Sequence, residues 1–142
     1  MPNASTLQFL LTLAKGIASQ FGPNCEVVVH DLATNDPERS IVAIENGHVT
    51  GRKVGDGPSH VVLEALRGNP EQLHDHLSYL TRTKDGKILK STTIYIRDDD
   101  GAPIGIFGIN YDITLMLAME DALKQFTATE RDEQEPEHIS RN

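Results

Sequence analysis

Tryptophan is absent from this chain of 142 residues, cysteine occurs once, and aromatic residues make up only 5% of it. The single thiol, Cys25, excludes a disulfide within the chain and makes a reducing compartment the simplest setting. Beside three valines it reads as a small buried hydrophobe rather than a redox sensor. No run of about 18 apolar residues offers a membrane span. The apolar stretch LQFLLTLAKGIA near the N-terminus lacks the basic region of a signal peptide. The expectation is a cytoplasmic protein with no membrane partner. Basic clusters are missing as well: 13 Lys and Arg stand against 21 Asp and Glu, for a formal net charge of −8. Such a chain is poorly suited to gripping phosphate backbones by itself. It carries no metal, haem or flavin motif, so no cofactor is assigned.

What is present suffices for one domain with a proper core. Its strongest signal is KILKSTTIYIR, then DDDGAP, then IGIFGINYDIT: two β-rich runs joined by a turn. Asp100-Gly101 tolerates the positive φ values of a tight hairpin. A two-residue loop there sets Ser91 opposite Asn110, Thr93 opposite Gly108, Ile94 opposite Phe107 and Thr92 opposite Ile109. Side chains alternate along a strand, so the hairpin has two faces. Ile94, Ile96, Phe107 and Ile109 form an apolar face that calls for a helix. Ser91, Thr93, Tyr95, Ile106, Gly108 and Asn110 form a mixed face that suits a small-molecule pocket. A three-residue loop would reverse this partition for one strand.

Around the hairpin, Ser5 or Thr6 is placed to cap a helix to about Gln20, with Leu7, Leu10, Leu11, Ala14, Ile17, Ala18 and Phe21 on one face. Gly22-Pro23 ends it. The rest of its surface carries one Lys and little other charge, which leaves a second face for another subunit. Residues 25–32 and 40–45 read as strands, joined by the loop Ala33 to Glu38. Asn46-Gly47 reads as a second hairpin turn, and residues 48–58 as an ordered, glycine-rich crossing loop. Ser59 caps a helix to about Arg67 with Val62, Leu63 and Leu66 inward. Residues 77–83 form the third strand. Leu115, Met116, Met119, Leu123 and Phe126 space a terminal helix, and the polar tail beyond it reads as disordered. The organisation is a flanking helix over residues 1–22, a core over 23–114, a second flanking helix over 115–127, and an acidic tail over 128–142. The fold class is α+β: a five-stranded antiparallel sheet with helices on both faces.

The stretches FGPNCEVVVHDL, SIVAIENGHVTGRKVGDG and DGKILKSTTIYIRDDDGAPIGIFGINYDIT resemble the YheO-like PAS domain family of bacterial transcriptional regulators, from roughly Phe9 to Met119. The resemblance implies a PAS fold, used to sense small molecules or to dimerise. It also implies a helix-turn-helix beyond the domain that binds DNA. This sequence stops before any such element, so DNA contact is expected only through a part outside it.

Each polar candidate also has a structural role open to it. His30-Asp31 ends the first strand; such a pair can hold an imidazole in one tautomer for acid–base work. No nucleophile sits in a recognisable elbow, so His30 reads first as structural or as a ligand hydrogen-bonder. His74-Asp75-His76 has metal-like composition but no third ligand nearby, and reads as a solvated loop. Gly47, Gly51, Gly55 and Gly57 do not follow the phosphate-loop pattern and read as backbone geometry. In that loop Asn46, His48 and Arg52 are the polar groups to consider. Arg52 offers a fork for a carboxylate, a ligand's or an internal Asp's. Lys90 reads as an exposed rim residue. Ser91, Thr93, Tyr95 and Asn110 either satisfy one another or bind a polar metabolite.

The ligand-binding set expected is therefore His30, Asn46, His48, Arg52, Ser91, Thr93, Tyr95 and Asn110, with no catalytic residues and no metal. The function expected is a homodimeric regulatory domain that binds a small metabolite. The alternatives are a ligand-free dimerisation or protein-interaction module, and a small enzyme using His30 and Asp31.

Overall fold

The computed structural model describes residues 4–33, 36–130 and 135–140. The chain folds as α1 (Ala4–Phe21), β1 (Cys25–Asp31), β2 (Ile41–Glu45), α2 (His60–Leu66), β3 (His76–Arg82), β4 (Ile88–Arg97), β5 (Pro103–Asp112) and α3 (Thr114–Thr127). All five strands form one sheet in the order β2-β1-β5-β4-β3, and every pairing is antiparallel. Part of the loop Ala33–Glu38, namely Thr34 and Asn35, lies outside the described residues, as do 1–3 and, in the tail, 131–134 and 141–142. Residues 135–140 are exposed and carry no helix or strand.

Helix α1 covers one face of the sheet. Leu10, Ala14 and Ala18 repeat every fourth residue and are its buried side chains. Two of the three are alanines, which lets the helix lie close over Cys25, Val27, Val29 and Phe107. The apolar hairpin residues Ile94, Ile96 and Ile109 pack onto this same cluster, as their face requires. The helix begins at Ala4, so Ser5 and Thr6 lie inside its first turn and neither is the cap expected of them.

The hairpin register is the expected one from Ser91↔Asn110 to Ile94↔Phe107. Its turn is not. Asp98 and Ala102 close a three-residue loop, with Asp98 N donating to Ala102 O at 2.9 Å and Gly101 at φ +85°. Such a loop alone would invert one strand. A bulge that sets Ile96↔Gly105 beside Arg97↔Pro103 leaves Ile104 as an extra residue and restores the parity. The two faces survive because two irregularities cancel.

The opposite face is covered by α2 and the segment before β3. Leu73, Tyr95 and Ile106 form a second cluster, with Val62 and Leu66 of α2 against it. Ser59 caps α2 as expected, its hydroxyl accepting from Val62 N at 3.4 Å. Asn46 adopts the left-handed conformation (φ 55°) a turn requires, but the chain then enters a 3-10 turn over Gly47–Val49 instead of returning as a strand. Helix α3 departs from expectation too. It forms, but no residue of it is buried, so among the described residues α1 is the helix that covers the apolar face.

Candidate functional site

Between the mixed face of the sheet, the segment 48–59, α2 and the β3–β4 turn lies a cavity of about 530 Å³. Val28, Val62, Leu89 and Ile106 supply apolar wall, and His30, Arg52, Thr93 and Asn110 supply polar groups. This is the size and lining expected of a site for a small organic molecule.

The wall is fastened to the sheet by a buried carboxylate. Glu26 follows Cys25 in β1, so its side chain points away from α1 and toward the cavity face, where it is wholly buried. Its Oε1 accepts from Arg52 Nη2 at 3.1 Å and from Asn110 Nδ2 at 2.9 Å. Its Oε2 accepts from Thr50 N at 3.1 Å and Thr50 Oγ1 at 2.6 Å. Four donors around one carboxylate satisfy a charge that is otherwise costly to bury. The row continues across the sheet: Asn110 Oδ1 accepts from Ser91 Oγ at 2.7 Å, and Ser91 Oγ lies 2.8 Å from Thr81 Oγ1. Polar contacts therefore run from the 48–59 segment through β1, β5 and β4 to β3.

Gly57 lets this segment seat. A Cβ there would stand 2.5 Å from the Glu38 carbonyl oxygen, far inside van der Waals contact. At the mouth, Lys87 Nζ donates to the carbonyls of His48 at 3.2 Å and Val49 at 3.1 Å, tying the segment to the start of β4. Asp85, also at the mouth, has its carboxyl held below the ordinary value, chiefly by the Thr83 hydroxyl.

His30 is 2% exposed, and its Nδ1 lies 2.8 Å from Ser40 Oγ. Burial, reinforced by the Arg52 charge, lowers its pKa to about 3, so the imidazole is neutral at physiological pH. No side chain among the described residues hydrogen-bonds its other ring nitrogen, and the residue lines the cavity. His30 and Asp31 do not form a dyad. Successive residues of a strand face opposite ways, and Asp31 Oδ1 instead accepts from Ala33 N at 2.9 Å.

Five of the eight expected ligand-binding residues line the cavity: His30, His48, Arg52, Thr93 and Asn110. The other three sit behind it. Asn46 spends its amide on the carbonyls of Gly22 and Cys25, at 3.2 and 2.9 Å. Ser91 is buried between Asn110 and Thr81. Tyr95 packs in the second cluster, where burial pushes its hydroxyl pKa up. Arg52 is only partly a lining group, because its fork is engaged by Glu26 rather than by an Asp. Glu26 and Thr50 were missed by sequence reasoning. The signal available was a lone acid inside a strand too apolar to leave it solvated.

Elsewhere, Cys25 is buried, with its thiol pKa raised by burial and then by the Glu26 charge. Asp75 Oδ1 accepts from Tyr95 N at 2.9 Å, and His76 stacks on Tyr79 at 3.7 Å. Among the described residues no three His, Cys, Asp or Glu side chains are placed to hold a metal ion.

The family model described as the YheO-like PAS domain matches residues 1–128. The chain is 38% identical over 106 residues to the uncharacterized protein YheO of Escherichia coli K12, covering 69% of this chain and 40% of that one. It is 28% identical over 137 residues to the transcriptional regulator DauR of Pseudomonas aeruginosa, covering 96% of this chain and 61% of that one. The chain spans about half the length of the curated relatives it matches. A solved dark structure of the blue-light photoreceptor Aureochrome1 LOV aligns with a TM-score of 0.46 at 19% identity, over 82% of this chain and 91% of that one.

Proposed function

Because this chain belongs to the YheO-like PAS domain family, we propose that it is the sensory domain of a bacterial transcriptional regulator, cytoplasmic and homodimeric, whose output is DNA binding by a part outside this sequence. The observation that carries the proposal is the cavity of about 530 Å³ that side chains leave between the sheet and the 48–59 segment. A ligand there touches both that segment and the sheet. It biases the domain by its differential affinity for two arrangements of those parts. The row of hydrogen bonds from Arg52 to Thr81 couples the wall to four strands. The start of α3 is tied to β4 by Thr114, whose hydroxyl accepts from Ile88 N at 2.9 Å. Helix α3 then presents Leu115, Met116, Met119, Leu123 and Phe126 to solvent, and α1 presents Phe9, Leu13 and Phe21. Exposed apolar faces on both flanking helices support a dimer formed through them. His30 serves as a neutral hydrogen-bonding group in this reading, with no catalytic part.

The test is native mass spectrometry of the purified chain, followed by thermal melts across a metabolite panel. A copurifying or added ligand present at a hundredfold excess over its Kd should stabilise the fold by about 2.7 kcal/mol. Melts indifferent to every compound, with nothing copurifying, would leave the ligand-free interaction module as the better reading.

A further inference from the structure

We propose that the ligand enters this cavity by an uncharged end carrying a carbonyl oxygen, and that His30 Nε2–H donates to that oxygen; the proposal rests on the ligand-sensor reading above. His30 shares a face of β1 with Glu26 and Val28, so its ring is turned away from α1 and toward the cavity it lines. Among the described residues every fully buried side-chain nitrogen or oxygen has a hydrogen-bond partner. His30 Nδ1 has one, in Ser40 Oγ at 2.8 Å, and Nε2 has none. In a side chain this deeply buried, Nε2 is therefore the ring nitrogen that opens on the cavity.

Ser40 decides which ring nitrogen carries the proton. Its hydroxyl is buried, and among the described residues His30 Nδ1 is its one side-chain partner. Were Nδ1 protonated, the ring would donate to Ser40, and the serine's own proton would be left buried without an acceptor. With the proton on Nε2, the serine donates to Nδ1 and no buried donor is orphaned. Burial and the Arg52 charge keep the ring neutral at physiological pH, so this tautomer persists. The cavity thus offers a fixed N–H donor.

The strongest acceptors on the same face are already filled, Glu26 by four donors and Asn110 Oδ1 by Ser91. Arg52 is engaged by Glu26 and Thr50, so neither charge of this buried pair is left for a ligand. An ammonium or carboxylate beside His30 would lose its hydration with no counter-ion in return. A carbonyl oxygen brings neither charge nor proton, and needs only the donor that is there. Next to His30, Gly108 lies between Val28 and Thr93 and puts no side chain into the cavity. That leaves Val28 and Ile106 as an apolar floor for the body of such a molecule.

The experiment is NMR of the 15N-labelled 142-residue chain, first alone and then titrated with acetophenone, 1-phenylethanol, ethylbenzene and benzoate. The chain has six histidines, and the His30→Leu variant assigns the signals of this one. Two-bond proton–nitrogen correlations should show Nε2 protonated and Nδ1 bare. Ser40→Ala should admit the other tautomer; a tautomer unmoved there would overturn Ser40's part. Acetophenone should bind about two- to tenfold tighter than ethylbenzene, the net contribution of one hydrogen bond, and should shift Nε2 most. In His30→Leu that preference should vanish while ethylbenzene keeps its affinity, a split that a merely structural histidine would not produce. The wild-type tautomer and the order of the probes test the assignment even if His30→Leu does not fold. A wild-type ring protonated on Nδ1 would overturn it and leave the sensor reading standing. So would any of the other three probes binding as tightly as acetophenone, a ketone preference surviving in His30→Leu, or a copurifying ligand without a carbonyl group. If no probe shifts a cavity resonance and nothing copurifies, the sensor reading falls and this assignment with it.

Discussion

Removing Arg52 gives the sharpest test of what holds the cavity wall. Its side chain is 24% exposed, while the Glu26 side chain it bonds is fully buried. At 3.1 Å and an effective dielectric of about 20, their gross attraction is about 5 kcal/mol. In Arg52→Ala the carboxylate keeps three donors, the Thr50 amide, the Thr50 hydroxyl and the Asn110 amide. Water enters where the guanidinium was, and these effects return part of the loss. The expected cost is about 3 kcal/mol, the low end for breaking a buried pair. In a chain of 142 residues that corresponds to a fall in Tm of roughly 10 °C. Urea unfolding followed by far-UV circular dichroism is the suitable assay, since there is no tryptophan to report. Glu26→Gln should cost about 1–3 kcal/mol, because its amide would face the Thr50 N–H donor to donor. The double variant should fall short of the sum by at least about 1 kcal/mol. Strict additivity, or a loss below about 1 kcal/mol for Arg52→Ala, would refute the claim that this pair fastens the wall.

His30 makes stability depend on pH. Its folded pKa is lowered from 6.5 to about 3, so below 6.5 the unfolded chain binds a proton that the folded one refuses. Stability should therefore drop as pH falls from 6.5, by about 2 kcal/mol at pH 5, and His30→Phe should flatten that dependence. An NMR titration that finds His30 protonating near 6.5 would sink the idea. Gly57→Ala should destabilise by about 1–3 kcal/mol through the clash with the Glu38 carbonyl, whereas Gly16→Ala, with open space around it, should stabilise by about 0.5–1 kcal/mol. Equal melting temperatures for the two variants would contradict the packing argument. Leu123→Asp/Phe126→Asp on α3 should shift sedimentation from dimer to monomer with the far-UV circular dichroism of the chain unchanged, because neither side chain is buried within the chain itself. A dimer that persists unchanged moves the interface elsewhere.

Most of the framework could be read along the chain because its signals are local. A period of two carried the β4–β5 faces, a period near four carried α1, and Ser59 announced α2. The hairpin turn shows where local reading stops: the bulge at Ile104 that rescues the register is set by the cross-strand fit, not by the turn residues. Helix α3 shows the same limit from the other side. Its spacing makes it helical, yet spacing does not say that anything packs against it.

The sequence by itself determined that this chain has a hairpin with one apolar and one mixed face, because side-chain alternation follows directly from residue order. It named His30, His48, Arg52, Thr93 and Asn110 as candidates, and those five line one cavity. Only the tertiary structure decided that Asn46, Ser91 and Tyr95 are spent on the framework. The same structure placed the acid that holds Arg52 at position 26, with Asn110 bonded to it from 84 residues away. Those assignments depend on which strands lie side by side. Strand order is fixed by the burial of the central strands β1 and β5 between α1 on one face and the 48–73 region on the other, which no local window contains.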